Sequence, residues 1–403
     1  MKRIKGGVTA PKGFYAAGMF SGIKRSHKKD LAIIFSPAVC TAAGTFTANK
    51  VKAAPVLVDQ QQVKSGRAQA IVANAGNANC CTGAKGLQNA WAMIKATAKG
   101  LHISPKHVLV CSTGVIGVQL PIAKVKPGIA ELCRQLVKGE HSAKGGTDAA
   151  DAIMTTDVVR KEIAVELNLK GRIVRVGAMA KGAGMISPRM HATMLAFITT
   201  DAKISAQLLR RTLSDAVEDT FNSTVIDNDM STNDTVLVLA NGMSKVKIGP
   251  KSGEYHKFAA ALKYVCDQLA QMMVADGEGA TKVVVVEVAG AKNTTDAKKI
   301  AKAIVSSDLF KCMVFGGDPN FGRMLAAIGY SGAFVKPERI AIDIEGVPLV
   351  RKGIGIFSRQ APRMMRRKQI RFKINLGVGR AKAKAYGCDM TFDYVRINSK
   401  YRT

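Results

Sequence analysis

The sequence predicts an α/β protein, on two observations. Short continuous apolar runs recur at 70–73, 108–111, 236–239 and 283–288, a pattern that suits buried strands. Between them lie longer segments with apolar residues at helical spacing, 86–99, 121–138 and 258–275. With 403 residues, 47% of them hydrophobic, the chain can bury the core of one large or two ordinary domains.

In chain order, residues 1–58 read as short strands and turns, with apolar stretches at 14–19, 31–35 and 44–46. The 86–99 helix puts Leu87, Trp91 and Ile94 on one face, and the 121–138 helix turns Ile129, Leu132, Cys133 and Leu136 inward. Between them the strand 108–111 ends in a tight Thr113–Gly114 turn, which can aim a backbone N–H and a hydroxyl at one point. Thr155–Thr156–Asp157 suits a cap or a turn. Strands at 161–166 and 173–176 lead into the stretch 181–202. Beyond it, Asp201 or Ser205 caps a helix to about residue 219. The helix 258–275 stops at Asp276–Gly277–Glu278–Gly279, where a carboxylate between two glycines is open to contact. A helix over 296–308 takes Thr294 or Thr295 as its cap, and strands follow at 339–344 and 369–376.

Composition narrows the function. No apolar run approaches the ~20 residues that cross a membrane, and the start has no apolar signal core, so a cytoplasmic protein is expected. Eight scattered cysteines point to reduced thiols, and neither they nor the six histidines show metal-ligand spacing, so no metal is expected. Sixty Lys and Arg against 29 Asp and Glu give a net charge of +31. The basic clusters at 24–29 and 363–368 are not interleaved with aromatics, which argues against specific nucleic-acid binding and for a solvated surface that steers anions. The acids between Asp227 and Asp234 lack the central glycine and closing glutamate of a calcium loop.

The stretch 181–202 has two halves. Lys181 to Ala192 reads as a loop, with Gly182, Gly184 and Pro188; from Thr193 the chain turns apolar, as a buried strand. A threonine at that junction suits an N-terminal nucleophile. If the Ala192–Thr193 bond breaks, the new α-amine titrates near ~7.7–8.0 and can act as base to its own hydroxyl. The plainer alternative is a glycine loop feeding a core strand.

The wording Lys181-Gly-Ala-Gly-Met-Ile-Ser-Pro with Ala192-Thr-Met-Leu resembles the cleavage signature of the ornithine acetyltransferase family of arginine biosynthesis. Further signatures stand in the family's order at 8–14, 49–56, 74–83, 231–235 and 315–323. Two departures are present: Arg189 stands where asparagine is common, and His191 lengthens the loop, which bears on the rate of cleavage. The resemblance implies an α/β sandwich of the N-terminal-nucleophile-like type, cut into an α chain (1–192) and a β chain (193–403) that interleave. Two such pairs would form an α2β2 heterotetramer. It implies that Thr193 is the nucleophile, that Thr113 and Gly114 form the oxyanion hole, and that Thr155, Lys181, Thr193, Glu278, Asn398 and Thr403 bind substrate. The implied reaction moves an acetyl group from N-acetylornithine to glutamate without a resident cofactor, with acetyl-CoA as a second donor in some members. Two rivals stay open: an amidohydrolase that passes the acyl group to water, and a basic nucleic-acid-binding protein.

Overall fold

A computed structural model describes residues 1–139, 144–187 and 194–400. The chain forms two compact units. One comprises Met1–Gly182, Arg189–Glu218 and Met230–Leu269, the other Ala183–Pro188, Asp219–Asp229 and Ala270–Thr403.

The first unit is built on one large mixed sheet. From one edge its strands run Lys2–Ile4, Lys161–Leu169, Arg172–Lys181, Leu195–Thr200, Thr235–Ala240, Leu31–Phe46, Arg67–Asn77 and Val108–Val115, with Tyr15–Met19 also paired to Leu31–Phe46. The two central strands Leu195–Thr200 and Thr235–Ala240 are parallel and buried along their whole length, as their apolar runs require. The separate strands expected at 31–35 and 44–46 are one 16-residue strand. Its pairing with Arg67–Asn77 shifts register between Phe35 and Cys40, where Pro37 sits, and that bulge is what breaks the pattern in the sequence.

Side chains alternate between two cores on the two faces of this sheet. Ile33, Ala70, Val72, Val108 and Val110 pack with Met93 and Ile94 of the helix Gly83–Leu101 and with Ile129, Leu132 and Cys133 of Ile122–Val137. Ile34, Ile71, Ala73, Leu109 and Cys111 pack with Ala149, Ala152 and Ile153 of the helix Gly145–Ile153. One face expected from the sequence is rotated: Leu87 and Trp91 are 38% and 39% exposed, and Ala90, Met93, Ile94 and Ala98 face inward. The small side chains of Ala90 and Ala98 let that helix lie close to what it covers.

Val108–Val115 is an edge strand, and one of its outward N–H groups has an unusual partner. Asp59, fully buried on the helix Ala54–Gln62, accepts Val110 N–H at 2.8 Å. Burial pushes its carboxyl well above the usual range, against the pull of that bond. The folded state therefore favours the neutral acid. This contribution to stability is complete below the unfolded pKa and fades as pH rises through the folded one. Asp59→Ala is expected to cost about 1–3 kcal/mol, more at pH 5 than at pH 8; urea melts at the two values check the direction.

The second unit has a seven-stranded sheet in the order Thr224–Val225, Ala381–Cys388, Val283–Ala291, Gln369–Asn375, Ala341–Ile344, Val347–Arg351 and Ile354–Gly355. Val284, Val286, Ile342, Ile370 and Phe372 pack on one side against Ile300 and Ile304 of Thr294–Ser306, Val314 of Asp308–Gly316 and Ile328 of Phe321–Tyr330. Gln369–Asn375 alternates strictly between buried and exposed positions, and Arg371 pairs with Glu287 at 3.4 Å on the solvent side. The helix Thr294–Ser306 is capped by Asn293, which accepts Asp296 N–H at 2.8 Å, and not by Thr294 or Thr295. An asparagine one residue earlier closes the first turn as well as a threonine does. Instead of fraying, the tail forms the helix Phe392–Ser399. Among the described residues no helix is long and apolar enough to cross a membrane, and no three His, Cys, Asp or Glu gather as a metal site. All eight cysteines are free thiols.

Candidate active site

Thr113 and Gly114 do not form a turn after the strand; they lie within the last residues of Val108–Val115. Gly114 faces Gly76 across the sheet and has φ +130°. A Cβ on Gly114 would sit 2.3 Å from the carbonyl carbon of Gly76 and 2.5 Å from Asn77 N, so only glycine fits. The strand end is tied down from several sides. Ser112 Oγ donates to Asn74 Oδ1 at 2.6 Å. Asn233 Nδ2 donates to the carbonyls of Ser112 at 2.8 Å and Ala78 at 2.6 Å. Two stretches that the sequence marks without assigning chemistry, 74–83 and 231–235, thus clamp the backbone on either side of Thr113.

Lys181 also differs from expectation: it is the last residue of the strand Arg172–Lys181, only 9% exposed. Its Nζ donates to Thr113 Oγ1 at 3.3 Å. An ammonium has donors only. The threonine oxygen therefore accepts, and its own proton is left to be given elsewhere. Just after Lys181 the chain meets Asp157. Oδ1 of Asp157 accepts Gly182 N–H at 2.7 Å and the Lys161 ammonium at 2.7 Å, and Oδ2 accepts Thr155 N–H at 3.0 Å. Asp157 and Lys161 side chains are 0% and 1% exposed. Burial alone would raise the Asp157 carboxyl. The ammoniums of Lys181 and Lys161, with the bonds from Lys161 and Gly182, outweigh it and hold it down to about 2. Lys24 belongs to the same group of charges. Burial, with Lys181 and Lys28 adding, lowers its ammonium to about 8 against the opposing pull of Asp30 and Asp157.

In the second unit, Glu278 is 9% exposed rather than open to solvent. Its N–H donates to Ala183 O at 2.8 Å, and its Oε2 accepts Asn398 Nδ2 at 2.8 Å from the C-terminal helix. A Cβ on Gly184 would lie 2.5 Å from Cδ and Oε2 of Glu278, which explains a glycine there without any special backbone angle. Gly184→Ala is expected to push the carboxylate off Asn398 and raise the KM for amino-acid substrate about ten-fold or more, as loss of a charge-assisted bond would. Steady-state kinetics with an unchanged KM would remove Glu278 from substrate binding.

Asp227 is the neighbouring anchor. It accepts N–H from Met185 at 2.6 Å and Ile186 at 2.9 Å. Burial raises its carboxyl, with those N–H bonds opposing. Burial, with the nearby charges of Asp227, Asp229 and Glu278 adding, pushes the Tyr394 phenol upward. Thr391 Oγ1, at the cap of the same helix, donates to Gly279 O at 2.7 Å.

The candidate residues fall into two groups. Thr113, Gly114, Thr155 and Lys181 gather in the first unit, and Glu278 and Asn398 meet in the second. Ala192, Thr193 and Thr403, with Arg189 and His191, lie outside the described residues. Spacing alone does not reveal the parts played by Asp157, Lys161, Asp227 and Tyr394. The interval from Asp157 to Lys161 is visible in the sequence, but four residues between opposite charges ordinarily mark a solvated pair.

Residues 15–403 match the ArgJ family. The chain belongs to the ArgJ family. That is the arginine-biosynthesis acetyltransferase family identified from the motifs, and membership makes the chain an acyltransferase. An ArgJ relative from Symbiobacterium thermophilum, the arginine biosynthesis bifunctional protein ArgJ, is 47% identical over 408 residues, covering 100% of both chains. The glutamate N-acetyltransferase of Methanocaldococcus jannaschii is 46% identical over 416 residues, again covering 100% of both. Among solved structures, ornithine acetyltransferase from Mycobacterium tuberculosis complexed with ornithine is 43% identical, covering 46% of this chain and 97% of that one with a TM-score of 0.42.

Proposed function

We propose that this ArgJ-family chain cuts itself between Ala192 and Thr193 and then moves an acetyl group from N-acetylornithine to glutamate by way of acetyl-Thr193. The freed α-amine of Thr193 takes the proton of its own hydroxyl, and Oγ1 attacks the acetyl carbonyl. The oxyanion receives hydrogen bonds from Thr113 and Gly114. Collapse breaks the amide C–N bond, and the ornithine amine leaves with the proton that the threonine amine carried. Glutamate then enters, its amine attacks the ester, and Thr193 is regenerated.

Lys181 holds a substrate carboxylate, and Glu278 with Asn398 holds an amino group; Thr155 and Thr403 complete the binding residues. The observation that carries the reading is the bond from Lys181 Nζ to Thr113 Oγ1, because the buried oxygen then accepts and its own proton is left to be donated to a developing oxyanion. In this reading the cut chains assemble as α2β2, and the reaction takes place in the cytoplasm. No resident cofactor enters the scheme.

The test supplies N-acetylornithine and glutamate together and follows both products. Acetylglutamate and ornithine in equal amounts are expected. Free acetate in place of acetylglutamate would replace the transferase by a hydrolase.

A further inference from the structure

We propose that Asp157 is a positioning residue for the acetyl transfer: it clasps two substrate-binding residues, Thr155 and Lys181, in one register through their backbone. The inference rests on the transfer reading above. Each oxygen of the carboxylate reaches a different side of the site, Oδ2 to Thr155 N–H and Oδ1 to the N–H of Gly182, the peptide that follows Lys181. The two residues are far apart in the chain and come from different local structures. Thr155 lies in the bend after the helix Gly145–Ile153, and Lys181 closes a strand. Gly182 has φ +154°, so the chain leaves the strand there in a conformation that side-chain-bearing residues rarely adopt. A hydrogen bond at that peptide fixes the direction in which the Lys181 side chain departs.

Lys161 is the other half of the device. Its ammonium meets Asp157 Oδ1 at 2.7 Å and Val159 O at 3.1 Å, fully inside the unit. A buried ion pair contributes little net stability against its own desolvation, so its retention is better explained by geometry than by stability. Lys181 and Lys161 together keep Asp157 ionised, Lys161 also fills a lobe of Oδ1, and the remaining acceptor directions are left for the two backbone N–H groups. Asp157 itself touches neither the acetyl group nor Thr193 in this scheme; it acts through Thr155 and Lys181.

The experiment compares the unaltered protein, Asp157→Asn, Asp157→Glu and the double variant Asp157→Asn/Lys161→Met, which removes both charges of the buried pair together. KM and kcat are measured for N-acetylornithine, and thermal melts establish folding. The expected result is a KM raised about ten-fold or more in Asp157→Asn and in the double variant, with kcat falling less, as loss of positioned binding requires. Partial rescue of KM is expected in Asp157→Glu, which keeps the charge. If Asp157→Asn does not fold, the double variant carries the comparison. A KM within about two-fold of the unaltered protein in a folded variant lacking the carboxylate overturns the clasp and leaves the transfer reading standing. No acetyl transfer by the unaltered protein overturns both.

Discussion

Thr193→Ala is expected to leave the 403-residue chain whole and acetyl transfer silent. The unaltered protein should give two masses, for 192 residues and for 211 (403 minus 192). In the proposed scheme the substitution removes both the oxygen that attacks at the Ala192–Thr193 bond and the atom that carries the acetyl group. With both roles lost, kcat should fall by at least about 10⁴. Thr193→Ser keeps a hydroxyl beside the same amine and should still be cut and turn over. Intact mass spectrometry and product assay on the two variants check this. A cut chain in Thr193→Ala, or turnover near the normal rate, would end the proposal.

Gly114→Ala is the second large effect. Its methyl group would meet backbone atoms of Gly76 and Asn77 at 2.3 and 2.5 Å, and backbone paired in a sheet cannot step aside cheaply. The strand end must shift, and the N–H of residue 114 moves with it. Loss of one oxyanion donor commonly costs ~10²–10³ in kcat. The companion Thr113→Ala removes the hydroxyl alone, without a clash, and should lose about 10² while the protein melts normally. The pair separates displacement of the backbone from loss of a donor. Wild-type kcat in a folded Gly114→Ala variant would take the oxyanion role away from this strand.

Much of the architecture is legible in the sequence. The apolar runs at 236–239 and 283–288 and the spacing of Ile129, Leu132, Cys133 and Leu136 declare their elements, because burial on a fixed face leaves a periodic trace. Ser205 is legible as a cap, and its Oγ accepts Leu208 N–H at 3.3 Å. What stays hidden depends on partners distant in the chain. Nothing in the neighbours of Asp157 says that Gly182 will arrive at its carboxylate, and charged residues are read by default as solvated. Glu278 stands between two glycines and looks exposed, yet Ala183 and Asn398 enclose it. Lys181 reads as loop because the glycines that follow it dominate the local pattern, whereas its strand hydrogen bonds come from the long pairings to either side.

The order of strands in the first unit bears on what a cut at residue 192 can do. Leu195–Thr200 and Thr235–Ala240 follow the cut, yet they lie between Arg172–Lys181 and Leu31–Phe46, which precede it. Severing one peptide link would therefore leave each fragment threaded through the other's hydrogen-bond ladder. The fragments should resist separation by dilution or salt, and fresh copies should not swap into an existing pair without denaturant. Such a pair would be made by folding first and division afterwards, and neither fragment would carry the whole of the first unit's sheet.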